Sequence, residues 1–257
     1  MFTDALGQNF KQIPKEDLRI VSLVPSQTEL LVDFGLENQL VGITKFCVHP
    51  VDLRKRIKVV GGTKQLHKNK VAELKPNLIL CNKEENTKAI VEELQGIAPV
   101  WVTDMFTIED SLKTIKDLGC FLGVEEVAKK MVSVIKNEAE NFAEFMKDKS
   151  AKKVLYFIWK NPYMAAGTNT FVNDLLQRNK FENILPQNSR YPEVSPSSTK
   201  KPELILLSSE PYPFADKHRK EIEEEWGVPT MLVDGEYFSW YGSRLLKAFK
   251  YFRSLHN

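Results

Sequence analysis

Between positions 124 and 149 apolar residues recur at intervals of three, four and seven: Val124, Val127, Met131, Val134, Ile135, Phe142, Phe145 and Met146. Charged residues occupy most of the intervening positions and no Pro or Gly interrupts them, so the spacing predicts a single amphipathic helix over 124–149. At about 1.5 Å per residue such a helix would run roughly 39 Å, enough to cross a small domain. It reads as a strut between two halves of the chain.

On either side of it the pattern alternates. Short β-branched runs at 19–24, 40–44, 57–60, 78–81 and 100–102 predict strands, and 3.6-residue periodicity at 26–34, 70–75, 86–95 and 108–122 predicts helices between them. Ser26 and Glu29 have the spacing of a capping box at the start of the first helix. Beyond the strut, strands are expected at 153–158, 204–207 and 230–233, with helices at 170–179, 217–225 and 243–255. Alternating strands and helices imply parallel sheets covered on both faces. The organisation expected is a polar N-terminal arm (1–18), an α/β lobe (19–123), the connecting helix (124–149) and a second α/β lobe (150–257). Residues 186–201 carry three prolines and five Ser or Thr and form the longest loop, of the kind that is functional or mobile.

Composition narrows the function. An apolar content of 42% supports a substantial core, and 36 basic against 34 acidic residues leave a net charge of +2. That balance offers no basic face to nucleic acid. No stretch approaches the roughly 18 apolar residues of a membrane span, so no membrane insertion is expected. The first residues lack a secretory apolar core. A cytoplasmic location is therefore expected if Met1 is the native start, and a periplasmic one if a signal segment was removed. Three widely spaced cysteines, Cys47, Cys81 and Cys120, do not make a disulfide framework.

In parallel sheets, ligands bind beyond the carboxyl ends of the strands. In the second lobe those ends are rich in aromatic residues: Trp159, Tyr163, Tyr191, Tyr212, Tyr237, Phe238, Trp240 and Tyr241. Such surfaces suit a large, flat, amphipathic small molecule. Cys47 and His49, with His67 as a third ligand, could contact a metal, although C-x-H is not a zinc spacing and a buried structural Cys is the simpler reading. Gly61-Gly62-Thr63 could bring backbone N–H groups to an anion, but a plain Gly-Gly turn after a strand is the simpler reading. His218 and His256 are expected to be solvated. No G-x-S-x-G, H-E-x-x-H, P-loop or G-x-G-x-x-G occurs, and without a nucleophile and base set, binding is favoured over catalysis.

Several ordered motifs carry a resemblance: 19–31 (RIVSLVPSQTELL), Gly35-Leu36, 40–44 (LVGIT), Cys47-x-x-Pro50, Val60-Gly-Gly and 74–80 (LKPNLIL). Together they resemble the helical-backbone periplasmic binding proteins of metal-chelate ABC importers, and within these the cobalamin-binding members. The resemblance implies two α/β lobes joined by one long helix and a ligand held in a cleft between them. It implies a monomeric, non-catalytic binder of a corrinoid, with a haem or an iron–siderophore as the alternative. The chelate would be cargo, and no intrinsic cofactor is expected. A cytoplasmic enzyme or metal-handling protein reusing the scaffold is a further alternative. Carried over by position, Pro25, Ser26, Phe46 and Thr63 would meet the ligand from the first lobe. Met164, Tyr191, Glu236, Phe238 and Trp240 would meet it from the second. Importer-bound relatives dock on their permease through one surface Glu per lobe, and here Asn69 and Ser197 stand at those positions.

Overall fold

A computed structural model describes residues 2–187 and 189–257. In chain order its elements are β1 (Phe2–Thr3), β2 (Asn9–Phe10), β3 (Ile20–Ser22), α1 (Pro25–Asp33), β4 (Leu40–Ile43), α2 (Leu53–Arg56), β5 (Lys58–Val59) and α3 (Lys68–Glu73). There follow β6 (Leu78–Asn82), α4 (Lys88–Gln95), β7 (Val100–Thr103), α5 (Ile108–Phe121), α6 (Glu125–Met146), β8 (Lys152–Trp159), β9 (Met164–Ala165) and α7 (Phe171–Arg178). The chain closes with β10 (Phe181–Asn183), β11 (Leu204–Ser208), α8 (Asp216–Trp226), β12 (Thr230–Val233), α9 (Gly235–Ser239), a 3-10 turn (Gly242–Arg244) and α10 (Leu245–Ser254). It divides into two compact units. The first comprises residues up to Asp104, Glu109–Ile135 and Tyr241–Arg244; the second comprises Met105–Ile108, Lys136–Trp240 and Leu245–Asn257.

The first unit is built on a parallel sheet of order β5-β4-β3-β6-β7. β3 and β6 are buried at every position, which is why they read as apolar runs up to a polar last residue rather than as alternating ones. Val21, Leu23, Ile79, Cys81, Val100 and Val102 lie in the same core cluster, with Val71, Val91 and Leu94 from α3 and α4 packed on it. The chain winds outward from β3 to β4 and β5, then returns to β6 and winds the other way to β7. The strand order thus reverses between β3 and β6, the kind of switch point at whose carboxyl ends open α/β sheets take their ligands.

The second unit repeats the scheme with a parallel sheet of order β10-β8-β11-β12, to which β9 adds antiparallel to β8. Here the reversal falls between β8 and β11. Ala165 N–H donates to the carbonyl of Pro192 (3.1 Å), Val194 N–H to that of Tyr163 (2.9 Å) and Gly167 N–H to that of Arg190. The middle of the proline-rich loop is therefore stitched to β9 and the residues flanking it. Asn188 lies outside the described residues.

Three local expectations change. Residues 2–10 are not a loose arm but the hairpin β1–β2. Phe10 packs on Trp101 (4.9 Å between ring centroids), Phe2 on Phe121, and the Asp4 carboxylate accepts the N–H of Val102 at 3.1 Å. The capping box does not form, because Pro25 takes the first helical position of α1 and Val24 is the cap residue, without a side-chain hydrogen bond. Glu29 instead meets Arg244. In α6 the buried stripe is Ala128, Met131, Ile135, Phe142 and Met146, preceded by the buried Val124, whereas Val127 and Val134 are 44% and 43% exposed. α5 and α6 approach so closely that a Cβ on Gly119 would come within 2.2 Å of the Cβ of Ala128. The first half of α6 belongs to the first unit and the half from Lys136 to the second, where Phe142 packs on Phe249 and Phe252. Among the described residues, no helix is long and apolar enough to cross a membrane.

Candidate functional site

Each unit presents the carboxyl ends of its strands as a separate face. In the first unit the chain leaves β3 through the buried pair Pro25 and Ser26, the first turn of α1. After β4, Thr44 Oγ1 accepts the N–H of Phe46 at 3.3 Å, and the Phe46 ring projects outward, 47% exposed, with Lys45 Nζ 5.0 Å from its centroid. Gly62 leaves room for that ring: a Cβ there would stand 3.2 Å from Phe46 Cε2. The Gly61-Gly62 segment is a tight turn. Gly62 N–H donates to the carbonyl of Gln65 (2.7 Å), and Gly61 has φ +136° with no space for a side chain. The Gly62 N–H is thus turned to the chain itself rather than to an anion.

Beyond β6 and β7 lies a buried polar floor. Asn82 Nδ2 donates to Thr103 Oγ1 (3.1 Å), Gln27 Nε2 donates to the same hydroxyl, and Thr103 Oγ1 donates to the carbonyl of Cys81 (3.2 Å). Asn86 Oδ1 accepts the N–H of Asn82, while Asn86 Nδ2 donates to the carbonyl of Thr63 at 3.0 Å. Buried amides need such partners, and they lock the strand ends. The half-buried Glu85, next to Asn86 in the chain, lies against the Thr63 hydroxyl. Burial, then the charge of Glu84, pushes its carboxyl up, against the opposing pull of Lys64 and the Thr63 hydroxyl. Tyr241, distant in sequence, is buried beside Ser26. Burial and the charge of Glu85 hold its phenol well above the ordinary value. The sequence places Tyr241 in the second lobe and Gln27 and Asn82 at first-lobe strand ends, where a parallel sheet takes its ligands, but does not single out Asn86 or Glu85. The one local signal was polar residues ending apolar strands.

In the second unit β8 ends at Trp159, 42% exposed, whose ring meets that of Tyr212 edge-on at 5.7 Å. Tyr212 Oη lies 3.3 Å from His218 Nε2, and His218 Nδ1 accepts the N–H of Ala215 at 3.0 Å. After β11, Glu210 Oε1 accepts the indole N–H of Trp240 (2.8 Å) and the hydroxyl of Ser239. After β12, Asp234 caps α9 by accepting the N–H of Glu236 at 3.1 Å. Gly235 is required there because a Cβ would fall 2.3 Å from Ser208 Oγ. Glu236 is half-buried on that turn, and Tyr237 stacks on Tyr251 at 4.7 Å. Met164 and Tyr191, both half-buried, are brought near one another by the pairing of β9 with the loop.

Several expected contacts are corrected. Phe238 is 0% exposed, packed between Tyr156 (5.2 Å) and Phe252 (4.9 Å), so it belongs to the core and faces no ligand. Trp240 is buried with its indole N–H committed to Glu210. Cys47 is fully buried, its Sγ 3.1 Å from Thr28 Oγ1 and 3.3 Å from Thr44 Oγ1, and burial pushes its thiol up, away from the thiolate a metal needs. His67 is exposed at the start of α3. Among the described residues, no group of three or more His, Cys, Asp or Glu is placed to hold a metal ion. The two remaining histidines are not solvated: His218 is buried, and His256 Nε2 lies 3.0 Å from Asn179 Oδ1, its ring stacked on Phe181.

A sequence profile described as "Periplasmic binding protein" matches residues 20–226. The chain belongs to the periplasmic binding protein family. An uncharacterized ABC transporter substrate-binding lipoprotein of Bacillus subtilis (strain 168) is 30% identical over 181 residues, 67% of this chain and 57% of that protein. The vitamin B12-binding protein of Pectobacterium carotovorum subsp. carotovorum (strain PC1) is 23% identical over 54% of this chain and 51% of that protein. The match thus spans a little over half the length of these curated relatives. Among solved structures, a periplasmic vitamin B12 binding protein of Vibrio cholerae aligns with TM-score 0.78 and 18% identity over 93% of this chain and 98% of its own. A periplasmic heme binding protein from Pseudomonas aeruginosa aligns with TM-score 0.79 and 22% identity over 95% of this chain and 92% of its own. At these identities the likeness establishes the two-lobed α/β fold with parallel sheets.

Proposed function

We propose that the chain is the substrate-binding component of an ABC importer for a flat metal chelate, a corrinoid in the first instance, and that it performs no chemistry on its cargo. The observation that carries this reading is Phe46. An aromatic ring left 47% exposed at a strand's carboxyl end, beside a glycine that makes room for it, is a surface built for an apolar face. The buried amide and hydroxyl floor behind it supplies order, and Thr63 and Glu85 supply polar groups at its edge. From the second unit Met164, Tyr191 and Glu236 are the contacts proposed. The vitamin B12-binding relatives support a corrinoid; the heme-binding solved neighbours support a second reading, a haem or related iron chelate.

The permease contact would differ from one made through paired acids. Asn69 is exposed on α3 between Lys68 and Lys70, and Ser197 is exposed among Ser195 and Ser198, so neither position offers a carboxylate. The chain is proposed to work as a monomer outside the cytoplasmic membrane, as its periplasmic and lipoprotein relatives are named. Native mass spectrometry of protein isolated from its own cells tests the reading. A co-purified metal chelate is the expected result, and a consistently bound sugar, peptide or nucleotide would overturn it.

A further inference from the structure

We propose that Trp159 is a stacking surface for the flat face of the cargo, and that Tyr212 and His218 are positioning residues that hold it ready. This rests on the chelate-binding reading above.

Topology is the first argument. Trp159 ends β8 and Tyr212 follows β11, and the strand order of the second sheet reverses between those two strands. The crevice at such a reversal is where open α/β sheets take their ligands. None of the second-unit contacts implied by family resemblance lies on these two residues.

Preorganisation is the second. Trp159 and Phe46 are the exposed aromatic side chains among the described residues, one in each unit. Left to solvent, an indole would sample several rotamers. Here the Tyr212 ring stands against it at 73°, the edge-to-face arrangement that aromatic pairs favour. Tyr212 is itself packed on Phe214 at 4.7 Å and tied by its hydroxyl to His218. The adjacent Lys160 pairs with Glu221 of α8, so the turn after Trp159 is fastened to the same helix. A fixed ring loses less entropy when a ligand stacks on it.

The His218 tautomer follows from its partners. Nδ1 accepts the Ala215 N–H at the start of α8, so in the neutral ring the proton sits on Nε2 and is donated to Tyr212 Oη. Protonating Nδ1 would break the Ala215 bond. Lys160, Lys217, Glu221 and Tyr212 are the charged or titratable groups facing the ring. Burial, then Lys160 and Lys217, lowers its proton affinity, against the weaker opposing pull of Glu221. As pH falls through the lowered value, His218 charges, the start of α8 loses its acceptor, and the hold on Tyr212 and Trp159 loosens. Cargo affinity is then expected to fall on acidification.

The test is titration of the full chain with cyanocobalamin and with haemin, read by tryptophan quenching and calorimetry, at pH 7.5 and at pH 4.5, well below the ordinary imidazole range. Trp159→Ala is expected to weaken the chelate that wild type binds by roughly tenfold, and Trp159→Phe by only about threefold, with unchanged melting temperatures. Tyr212→Phe, which keeps the ring, tests the hydroxyl tie and is expected to cost about threefold. His218→Asn keeps an acceptor for Ala215 without titrating, and is expected to flatten the loss between the two pH values. Wild-type affinity in Trp159→Ala, or loss of permease stimulation with chelate affinity intact, overturns the stacking proposal and leaves the binding reading standing. A wild-type pH profile in His218→Asn overturns the positioning role. Failure of wild type to bind any chelate overturns both readings.

Discussion

Removing Arg244 should expose the cost of a buried ion pair. Arg244 Nε donates to Glu29 Oε2 at 3.0 Å, with side-chain exposures of 6% and 9%, so solvent screening is small. The pair joins the 3-10 turn to α1 of the first unit across 215 residues of sequence. Truncating one partner of such a pair strands the other charge, at a cost of about 3–5 kcal/mol. In Arg244→Met the buried Glu29 carboxylate loses this guanidinium and can relax by taking up a proton. For a carboxyl of ordinary pKa near 4.3 that uptake costs about 4 kcal/mol at pH 7, at 1.36 kcal/mol per pH unit, and about 1 kcal/mol at pH 5. The expected destabilisation is therefore about 3–4 kcal/mol at pH 7, a fall of about 10 °C in melting temperature, shrinking toward pH 5. The double variant Glu29→Met/Arg244→Met, which strands no charge, should recover most of the loss. Urea denaturation of the four proteins of the cycle at both pH values measures this. A loss under about 1 kcal/mol in Arg244→Met, or a double variant as unstable as the single one, would refute the reasoning.

Other consequences are equally direct. Native protein at pH 8 should take up one thiol label, at the half-buried Cys120, because Cys47 and Cys81 are buried and the Cys81 thiol is pushed up to about 12; a second native label by mass spectrometry contradicts this. Phe238→Ala should lower unfolding stability by about 3–5 kcal/mol as a core truncation, and a loss below about 1 kcal/mol would return this residue to the surface. Glu85, with its carboxyl raised in the folded state, contributes stability that is present below the ordinary carboxyl range and lost as pH rises through the raised value. Glu85→Gln should therefore gain on wild type as pH rises from 4 to 7 in thermal melts, and parallel profiles would contradict that sign.

The alternation of strands and helices was legible because parallel strands buried on both faces are largely apolar, and β3, β6 and β11 are buried at every position and apolar up to a polar last residue. The long helix was legible from its period, although periodicity could not tell that Val127 and Val134 stay in solvent while Ala128 is buried against Gly119. What escaped depends on partners far away in sequence. Glu29 looked like half of a capping box because its true partner lies near the C-terminus. The N-terminal residues looked like an arm because the rings that dock them, Trp101 and Phe121, belong to β7 and α5. Phe238 and Phe46 are both aromatic residues following a strand. Only packing separates them, since one is enclosed by Tyr156 and Phe252 and the other stands beside a glycine. His218 was read as solvated from its place on a charged helix, where nothing local announces that Ala215 and Tyr212 close around it.

The central claim, that this chain binds a flat metal chelate through aromatic surfaces at its strand ends, is tested most directly by calorimetric titration of wild type and Phe46→Ala with cyanocobalamin, cobinamide, haemin and a ferric siderophore. The account predicts saturable one-to-one binding of at least one chelate, weakened by about tenfold in Phe46→Ala with no change in melting temperature. No heat and no thermal stabilisation with any of the four, or binding indifferent to Phe46, would contradict it.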